Sequence, residues 1–443
     1  MAVNASRTEW GAAHTGTRGF RPAGQVTRAG RPADHRSPAG RPGRPTVYAH
    51  WRDPLRAARS GRNAYEPRVR TETEEEPSVT MKVERLDVTA YTVPTDAPEA
   101  DGTLAWDSTT IIVVEARSGT TTGLGWTYAA ADAGSVVRDL LTRPVLGRSV
   151  LDVQGAYEAM SRAVRNAGRP GLVACALSAV DIALWDLKAR LLELPLLHLI
   201  GAVRSTVPVY GSGGFTTYHD THLATQLNGW VHGQGIERVK IKIGEEWGRA
   251  VERDLSRVHH ARTAIGPRAE LYVDANGAYT RKQAVRVGRA LADQGVGWFE
   301  EPVSSDDLEG LRVVRDLVVC DVAAGEYGYD LPYFARLAPV VDCLQIDATR
   351  CGGLTVWLRA AALAEAHGLE VSAHCAPHVH AHPAACVPNL RHIEWFHDHV
   401  RIESMFFDGG LDPSGGTIRP GAKQLPGHGL HFHHEEATPY RVL

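Results

Sequence analysis

The chain of 443 residues has only six cysteines, and none of them belongs to a C-x-x-C pair. In a chain of this length, scattered cysteines indicate reduced and mostly buried thiols rather than a disulfide framework. We therefore predict a reducing, cytoplasmic location.

Long apolar runs are also missing. The sequence has no stretch of about 18 apolar residues, which argues against a membrane-spanning helix. The formal net charge of −3 gives no overall bias toward nucleic acid or an acidic membrane. A hydrophobic content of 43% is enough for the cores of two domains, so we expect a large globular protein with no membrane or nucleic-acid partner.

Residues 1–80 lack both lysine and cysteine. This segment holds 14 Arg and 8 Asp or Glu, a net charge of +6, and is rich in Gly and Pro without any sustained helical or strand period. Such a composition predicts a disordered extension, or a start assigned too early, with Met81 as the true start. A nucleic-acid-binding arm is the alternative, and a gel shift that disappears when residues 1–80 are removed would reveal it.

A chain that begins at Met81 is expected to keep its activity and its melting temperature, because residues 1–80 have no core of their own. Thermal melting and turnover of the long and short chains check this prediction. Loss of solubility or activity in the short chain would mean that residues 1–80 dock on the rest of the protein.

Three carboxylates recur at a spacing of 26 residues: Asp274, Glu300 and Glu326. Each follows a short apolar run that is typical of a strand, and a strand with a returning helix needs about 25 residues. In a β/α barrel the carboxyl ends of all strands surround one mouth, so these side chains should converge. Converging carboxylates repel one another unless a hard cation neutralises them, and oxygen ligands favour Mg²⁺. The spacing therefore predicts a metal-dependent barrel enzyme.

Strand and helix patterns divide the remaining chain into two parts. Strand patterns at 81–93 and 109–116 precede helical patterns at 134–142, 152–166 and 172–192, which indicates a separate α+β domain over 81–206. An alternating strand and helix pattern then extends over 207–410, with helices that include 281–294 and 355–367. Its strand candidates end near Gly211, Lys242, Asp274, Glu300, Glu326, Asp347, His374 and Glu394. Eight strands predict a closed barrel.

Two lysines, Lys240 and Lys242, lie at positions i and i+2 of one predicted strand and therefore share a face. We predict that both point into the barrel toward the metal. The alternative places them on a solvated outer face. It would put Val239, Ile241 and Ile243 in the lumen and force the outer helices to pack on lysines.

Asp347 and His374 follow two consecutive strands, 27 residues apart. Neighbouring strand ends can bring a carboxylate within hydrogen-bond reach of an imidazole, which fixes the tautomer of the ring and raises its basicity. Alone, Asp347 could be a helix cap and His374 a buried structural histidine. In register with the three carboxylates, the pair predicts a general base.

Two further motifs leave alternatives open. His378, His380 and His382 could form a zinc site, but no other His or Cys cluster with zinc spacing accompanies them, so we favour a histidine-rich loop over the mouth. Residues 211–214 (Gly-Ser-Gly-Gly) follow a strand but open no complete phosphate-binding motif, and they only weakly indicate a phosphate site.

Together these motifs resemble the enolase superfamily, and specifically its mandelate racemase branch. The resemblance covers about residues 81–443. It rests on segment 178–186 (SAVDIALWD), on Lys240-x-Lys242, and on segments 273–276 (VDAN) and 298–302 (WFEEP). It also rests on Gly325-Glu326, Asp347 with Gly352-Gly353, His374 and Glu394. The resemblance implies a modified TIM barrel (an α/β barrel) with an α+β N-terminal capping domain, completed by a C-terminal segment at 411–443. It also implies a homo-oligomer.

The resemblance also implies roles for single residues. Asp274, Glu300 and Glu326 would bind one Mg²⁺ per subunit. Lys242 would be the base on one face of the substrate, and His374, oriented by Asp347, the acid or base on the other. Lys240 and Glu394 would hold the substrate carboxylate and the developing enediolate. On chemical grounds we predict that Glu394 is protonated, and that Asn276 and Tyr128 are further substrate contacts.

The chemistry that suits these residues is removal of the proton α to a carboxylate, because a cation and nearby donors stabilise the resulting dianion. We predict a sugar-acid dehydratase, with a racemase, epimerase or lactone cycloisomerase as the alternative. A barrel that only binds its ligand would have little reason to assemble these residues. The resemblance further implies that loops of the capping domain, here at 95–107 and about 126–134, cover the mouth and select the substrate. Their candidate contacts are Asp101, Trp106, Trp126 and Tyr128.

Overall fold

The computed structural model describes residues 81–443. The predictions for residues 1–80 (a disordered extension, an early start and a nucleic-acid arm) therefore lie outside the described residues. Across residues 81–443, we find no helix that combines the length and the apolar character needed to cross a membrane.

Strands form three sheets. The strands are β1 (Arg85–Ala100), β2 (Ala105–Ser118), β3 (Thr121–Tyr128), β4 (Val207–Gly213), β5 (Arg238–Lys242), β6 (Glu270–Asp274), β7 (Val296–Glu300), β8 (Asp321–Ala324), β9 (Cys343–Ile346), β10 (Glu370–Ala373), β11 (Leu390–Phe396), β12 (Phe407–Asp408), β13 (Thr417–Ile418) and β14 (His431–Phe432).

Helices precede the barrel, alternate with its strands and close the chain. They are α1 (Asp132–Val136), α2 (Thr142–Val145), α3 (Val153–Ala163), α4 (Leu172–Leu191), α5 (Leu196–Ile200), α6 (Asp220–Asn228), α7 (Glu245–Gly248), α8 (Val251–Ile265), α9 (Arg281–Ala292), α10 (Leu308–Arg315), α11 (Leu331–Leu337), α12 (Gly353–Ala366), α13 (Pro377–Ala384), α14 (His397–Phe406) and α15 (His434–Ala437). Wider π-helical turns continue α1 and α6, at Val137–Leu141 and Gly229–Gly233.

Strands β4 to β11 form a closed barrel, because each pairs in parallel with the next and β11 pairs in parallel with β4. The short strand β13 adds to β4 from outside in the antiparallel sense. The predicted eight-stranded barrel is confirmed.

Side chains that point into the barrel are apolar at one end and charged at the other. Tyr210, Tyr272 and Trp298 belong to one buried cluster in the lumen. Because side chains repeat every two residues on a strand face, Asp274 and Glu300 point inward two residues beyond Tyr272 and Trp298. The aromatic cluster thus forms a floor beneath a ring of carboxylates at the carboxyl end of the strands.

A capping domain precedes the barrel in the chain. Strands β1, β2 and β3 form an antiparallel sheet, and helix α4 packs against β2 and β3. Most residues of α4 are buried, as its apolar circumference predicts. Strand β3 approaches α4 so closely that a Cβ atom at Gly123 or Gly125 would lie within 2.4 Å of the helix backbone.

The loops predicted over the mouth are only partly loops. Strand β1 continues through Pro94 to Ala100 with a register shift, and β2 begins at Ala105, so the predicted loop at 95–107 is mostly a strand hairpin. The predicted loop at 126–134 begins in β3, which the sequence patterns did not indicate. Strand β3 was not predicted because Gly123 and Gly125 interrupt its strand pattern, and glycine is unfavourable within a strand.

The C-terminal segment returns to the capping domain. The rings of Phe432 and Tyr91 pack with centroids 5.5 Å apart, and the backbone N–H of Val442 donates to the carbonyl of Ala90 at 2.8 Å. The carboxylate of Asp186 in α4 accepts from the backbone N–H of His428 at 2.8 Å. The last residues of the chain thus complete the α+β cap, as the resemblance implied.

Candidate active site

The pairing register brings the acidic residues of consecutive strands together. Lys242 is paired with Asp274, and Asp274 is paired with Glu300, so the three lie in one row across β5, β6 and β7. Glu326 follows two residues after the end of β8. One ligand atom each of Asp274, Glu300 and Glu326 lies within 4.8 Å of the others, and all three side chains are buried.

This cluster fits a hard divalent cation. It offers oxygen donors alone, which suit Mg²⁺, Ca²⁺ or Mn²⁺ better than softer metals. Burial and the neighbouring charge of Asp274 raise the pKa of Glu300 to about 8, although Lys240 lies 2.7 Å away. The lysines therefore do not fully offset the repulsion among the carboxylates. A bound cation would neutralise the remaining negative charge.

Both lysines of β5 point into the barrel. The Nζ of Lys242 donates to Asp274 at 2.5 Å, and the Nζ of Lys240 lies 2.7 Å from both Glu300 and Glu394. Burial lowers the pKa of each ammonium group, but the neighbouring carboxylates outweigh burial and raise it, chiefly Asp274 for Lys242 and Glu300 for Lys240. Both lysines thus point into the barrel, which is the orientation predicted from the strand pattern.

On the opposite side of the mouth, His374 and Asp347 form a hydrogen-bonded pair. The Nδ1 of His374 donates to one oxygen of Asp347 at 2.8 Å. The backbone N–H and hydroxyl of Thr349 donate to the other oxygen at 2.7 Å each, which fixes the carboxylate. The Nε2 of His374 lies 3.1 Å from Glu326, so the imidazole faces the carboxylate cluster.

Glu394 lies between the two sides. It accepts from the hydroxyl of Ser212 at 2.6 Å and from the backbone N–H of Cys375 at 2.9 Å. Burial raises the pKa of Glu394, but Lys240 and His374 outweigh burial and hold the pKa below its usual range. These neighbours therefore favour an ionised Glu394 and not the protonated form that we predicted.

A cavity of about 390 Å³ opens above these groups, between the cap and the barrel. Its walls include Lys242, Glu326 and His374 from the barrel and the predicted contacts Asp101, Trp106, Tyr128 and Asn276. The ring of Tyr128 stacks on His399, with centroids 3.4 Å apart.

The prediction for Trp126 is wrong. Its side chain is fully buried and donates to Glu403 at 3.1 Å instead of lining the cavity. Trp126 shares a strand face with Tyr128, which also donates to Glu403, but it lies further from the mouth and stacks on Phe407.

The histidine run is a buried helix, α13, and not a loop. The Nε2 atoms of His378 and His380 accept from the backbone N–H groups of Leu411 and Ala348, and the Nδ1 of His382 accepts from that of Leu197. Each ring thus ties one backbone segment to α13. Among residues 81–443 the three histidines do not form a metal-binding group.

Several residues of the site were not predicted. Arg350 lies 3.4 Å from Glu326 and 3.5 Å from Asp347, and the Sγ of Cys375 lies 3.2 Å from the Nε2 of His374. Ser212, in the segment at 211–214, donates its hydroxyl to Glu394. In the sequence, Arg350 lies three residues after Asp347, and Cys375 directly follows His374. These positions were the signal that could have identified them as site residues.

Helix α4 of the cap holds the loop that carries Asp347. The hydroxyl of Ser178 accepts from the backbone N–H groups of Gly352 and Gly353 at 2.8 and 3.1 Å. The carboxylate of Asp181 accepts from the backbone N–H and the hydroxyl of Thr355 at 3.0 and 2.6 Å. These contacts join two of the motifs that carried the resemblance.

Replacing Ser178 by alanine is expected to lower the free energy of unfolding by about 1–3 kcal/mol. The change removes the acceptor of the buried N–H of Gly352 and leaves the N–H of Gly353 with the carbonyl of Ala348 alone. Denaturant unfolding measures the effect, and Ser256→Ala on the exposed face of α8 is the matched control. Equal stability of the two variants would contradict this role of Ser178.

Family models match most of the described chain. The N-terminal domain of mandelate racemase / muconate lactonizing enzyme matches residues 86–201, and the enolase C-terminal domain-like model matches residues 222–437. A 3,6-anhydro-α-L-galactonate cycloisomerase of Streptomyces coelicolor is 31% identical over 361 residues, 79% of this chain and 96% of that protein. An L-talarate/galactarate dehydratase of Salmonella typhimurium is 33% identical over 297 residues, 64% of this chain and 73% of that protein.

Solved structures agree with the fold. A mandelate racemase/muconate lactonizing enzyme-like protein from Rubrobacter xylanophilus is 52% identical with a TM-score of 0.79, and the match covers 82% of this chain and all of that one. A racemase from Streptomyces coelicolor with bound magnesium is 29% identical with a TM-score of 0.76, covering 81% of this chain and 100% of that one.

Proposed function

This chain belongs to the mandelate racemase and muconate lactonizing enzyme family of the enolase superfamily, and on that premise we propose that it is a Mg²⁺-dependent sugar-acid dehydratase. The observation that carries the proposal is the position of Lys242 and His374 on opposite sides of one carboxylate cluster. Lys242 bonds to Asp274 at one end, and His374 lies beside Glu326 at the other.

Asp274, Glu300 and Glu326 are the residues that would hold the cation. Bound there, Mg²⁺ supplies a Lewis acid that lowers the energy of the negative charge developing on the substrate carboxylate. A Lys or His base beside Mg²⁺ is a general property of enolase-superfamily sites, and Lys242 and His374 offer both kinds of base.

Neighbouring carboxylates raise the pKa of Lys242, and a cation held by them would offset that effect. In the reaction we propose, Lys242 in its neutral form accepts the proton from the α-carbon, and the C–H electrons move into the carboxylate as an enediolate. These electrons then form the double bond between the α- and β-carbons while the β C–O bond breaks. His374 gives its Nε2 proton to the departing hydroxyl, which leaves as water. The resulting enol tautomerises to a 2-keto-3-deoxy acid. Asp347 keeps the Nδ1 proton of the ring in place throughout.

The same two groups support a second candidate function. The cycloisomerase relative aligns with 79% of this chain, more than the dehydratase relative does. If the β-oxygen belongs to a ring, its C–O bond breaks by the same electron movement, but the oxygen stays attached to the product. Two bases on opposite sides of the α-carbon also permit racemisation or epimerisation.

Purified protein with Mg²⁺ and a panel of sugar acids in D₂O tests the proposal. A dehydratase gives a keto acid whose mass is lower than that of the substrate by one water. A cycloisomerase or epimerase gives an isomer of the substrate, with the same mass apart from exchanged deuterium. If no acid in the panel exchanges its α-hydrogen or reacts, the proposed chemistry is contradicted.

A further inference from the structure

Two acidic side chains line the end of the cavity beneath the cap. Asp398, near the start of α14, lines the cavity, and its carboxylate accepts from the hydroxyl of Thr109 and from Arg401. Asp101, in the turn between β1 and β2, lines the same wall and uses one carboxylate oxygen to accept the backbone N–H groups of that turn.

More acidic residues lie directly behind this wall. Glu99 is fully buried, accepts from the indole of Trp106 at 2.8 Å through one oxygen, and has no hydrogen-bond partner among the described residues for the other. Burial and the charge of Asp398 raise the pKa of Glu99 to about 8. Asp96 lies in the same group, 3.0 Å from His397. Near neutral pH the raised pKa keeps Glu99 protonated. Arg401 and His397 are already paired with Asp398 and Asp96, so among the described residues of this group neither is free to pair with an additional anion.

Positive side chains are found at the other end of the cavity. Among the described residues that line it, the Lys and Arg side chains are Lys242 and Arg350, both at the catalytic end. Arg350 is already engaged by Glu326 and Asp347. The ring of His399 accepts from the backbone N–H of Ala376, and burial lowers its pKa, which favours the neutral ring.

The wall beneath the cap does offer partners for hydroxyl groups. Ser108, Thr109 and Thr110 line it together with Asp398, which can accept hydrogen bonds from a sugar. Within the part of the chain that the structure describes, this wall presents no Lys or Arg to a substrate carboxylate. Burying a carboxylate there beside like charge is therefore unfavourable.

We infer that the substrate is a sugar acid with one carboxylate, an aldonate, and that Asp398 and Asp101 disfavour dicarboxylic sugar acids. The inference rests on the proposed function. Family membership does not decide this point, because one relative is named for talarate and galactarate, which have two carboxylates. The reacting carboxylate lies at the metal end, and the hydroxylated tail extends toward the cap.

Matched pairs of acids test the inference. Galactonate and galactarate, or gluconate and glucarate, differ only in whether the far terminal carbon is a hydroxymethyl group or a carboxylate. With Mg²⁺ present, kcat/KM and α-deuterium exchange for the aldonate that reacts best are expected to exceed those of its matched dicarboxylate at least about tenfold, because two like charges a few ångströms apart repel strongly in a partly buried site.

Asp398→Asn is expected to reduce this preference several-fold by raising kcat/KM for the dicarboxylate, since asparagine keeps the size of the side chain and removes its charge. Asp101→Asn is a second variant in case the first does not fold, as judged by thermal melting. Asp293→Asn removes the same charge from an exposed position on the outer surface and should leave the preference unchanged.

The outcomes separate the two proposals. If dicarboxylates react as well as or better than their aldonate partners, the inference about charge is overturned while the proposed α-proton chemistry stands. If neither member of any pair exchanges its α-hydrogen, the proposed function fails, and this inference fails with it. An unchanged preference in folded Asp398→Asn and Asp101→Asn would overturn the role of these two residues.

Discussion

Asp274→Asn, Glu300→Gln and Glu326→Gln are each expected to lower kcat/KM by at least about 10³-fold, because the cation that these carboxylates would hold stabilises the transition state by several kcal/mol. Each substitution keeps the shape of the side chain and removes one ligand charge from an oxygen-only site. The fold should be retained, since each residue points into the mouth and not into the apolar floor of the barrel.

Two measurements separate metal binding from catalysis in these variants. Titration calorimetry should detect Mg²⁺ binding to the unsubstituted protein and much weaker binding to each variant. Added Mg²⁺ should raise the melting temperature of the unsubstituted protein alone, because a ligand that binds only the folded state stabilises it. Glu270→Gln, at the opposite end of the strand that carries Asp274, is the matched control. Near-native turnover by any of the three variants without added metal would disprove the metal assignment.

Lys242→Ala and His374→Asn are expected to separate two proton transfers that one active site performs. Proton transfer by a positioned group contributes about 10²–10⁴-fold, so each loss should be large. Lys242→Ala should stop α-deuterium exchange for substrates of one configuration, and His374→Asn should stop it for those of the other. The barrel positions the two groups apart, since Lys242 ends β5 and His374 follows β10.

In a dehydratase, His374→Asn should have a further consequence. Lys242 would still remove the α-proton, but the β-hydroxyl would lack its acid, so deuterium would enter recovered substrate while no keto acid forms. Nuclear magnetic resonance of the recovered substrate measures the exchange, and His392→Asn, in β11 near the floor of the barrel, is a histidine control away from the cavity. If His374→Asn retained both exchange and turnover, His374 would not belong to the site.

The barrel could be predicted because its strands and helices have sequence signals of their own, and these signals repeat along the chain. Several strands are short apolar runs with a polar residue at the carboxyl end or just beyond it, such as Asp274 in β6 and Asp347 after β9, and the helices carry their own signals. Helix α9, for example, begins at a capping box formed by Thr280 and Gln283. The 26-residue spacing is enough to predict that Asp274, Glu300 and Glu326 meet at one mouth, because each repeat returns the chain to the same end of the barrel.

Other parts of the site depend on contacts that local patterns do not encode. Arg350 belongs to no sequence motif, and only the structure shows that it pairs with Glu326. The ionised state favoured for Glu394 depends on Lys240 and His374, which lie on other strands. The strand β3 was missed because Gly123 and Gly125 are unfavourable in isolated strands, although here they allow the close approach of α4.

The return of the C-terminal segment to the cap has a consequence for the order in which the protein can assemble during synthesis. The cap strands leave the ribosome before the barrel, but Tyr91 and Trp126 acquire their aromatic neighbours Phe432 and Phe407 only when the last part of the chain has been made. Contacts between such distant parts of a chain form slowly, and unfinished apolar surfaces are exposed to aggregation meanwhile. A nascent chain that stalls before residue 407 would therefore have a nearly complete set of catalytic residues beneath an incomplete lid, and it would depend on chaperones until translation resumed.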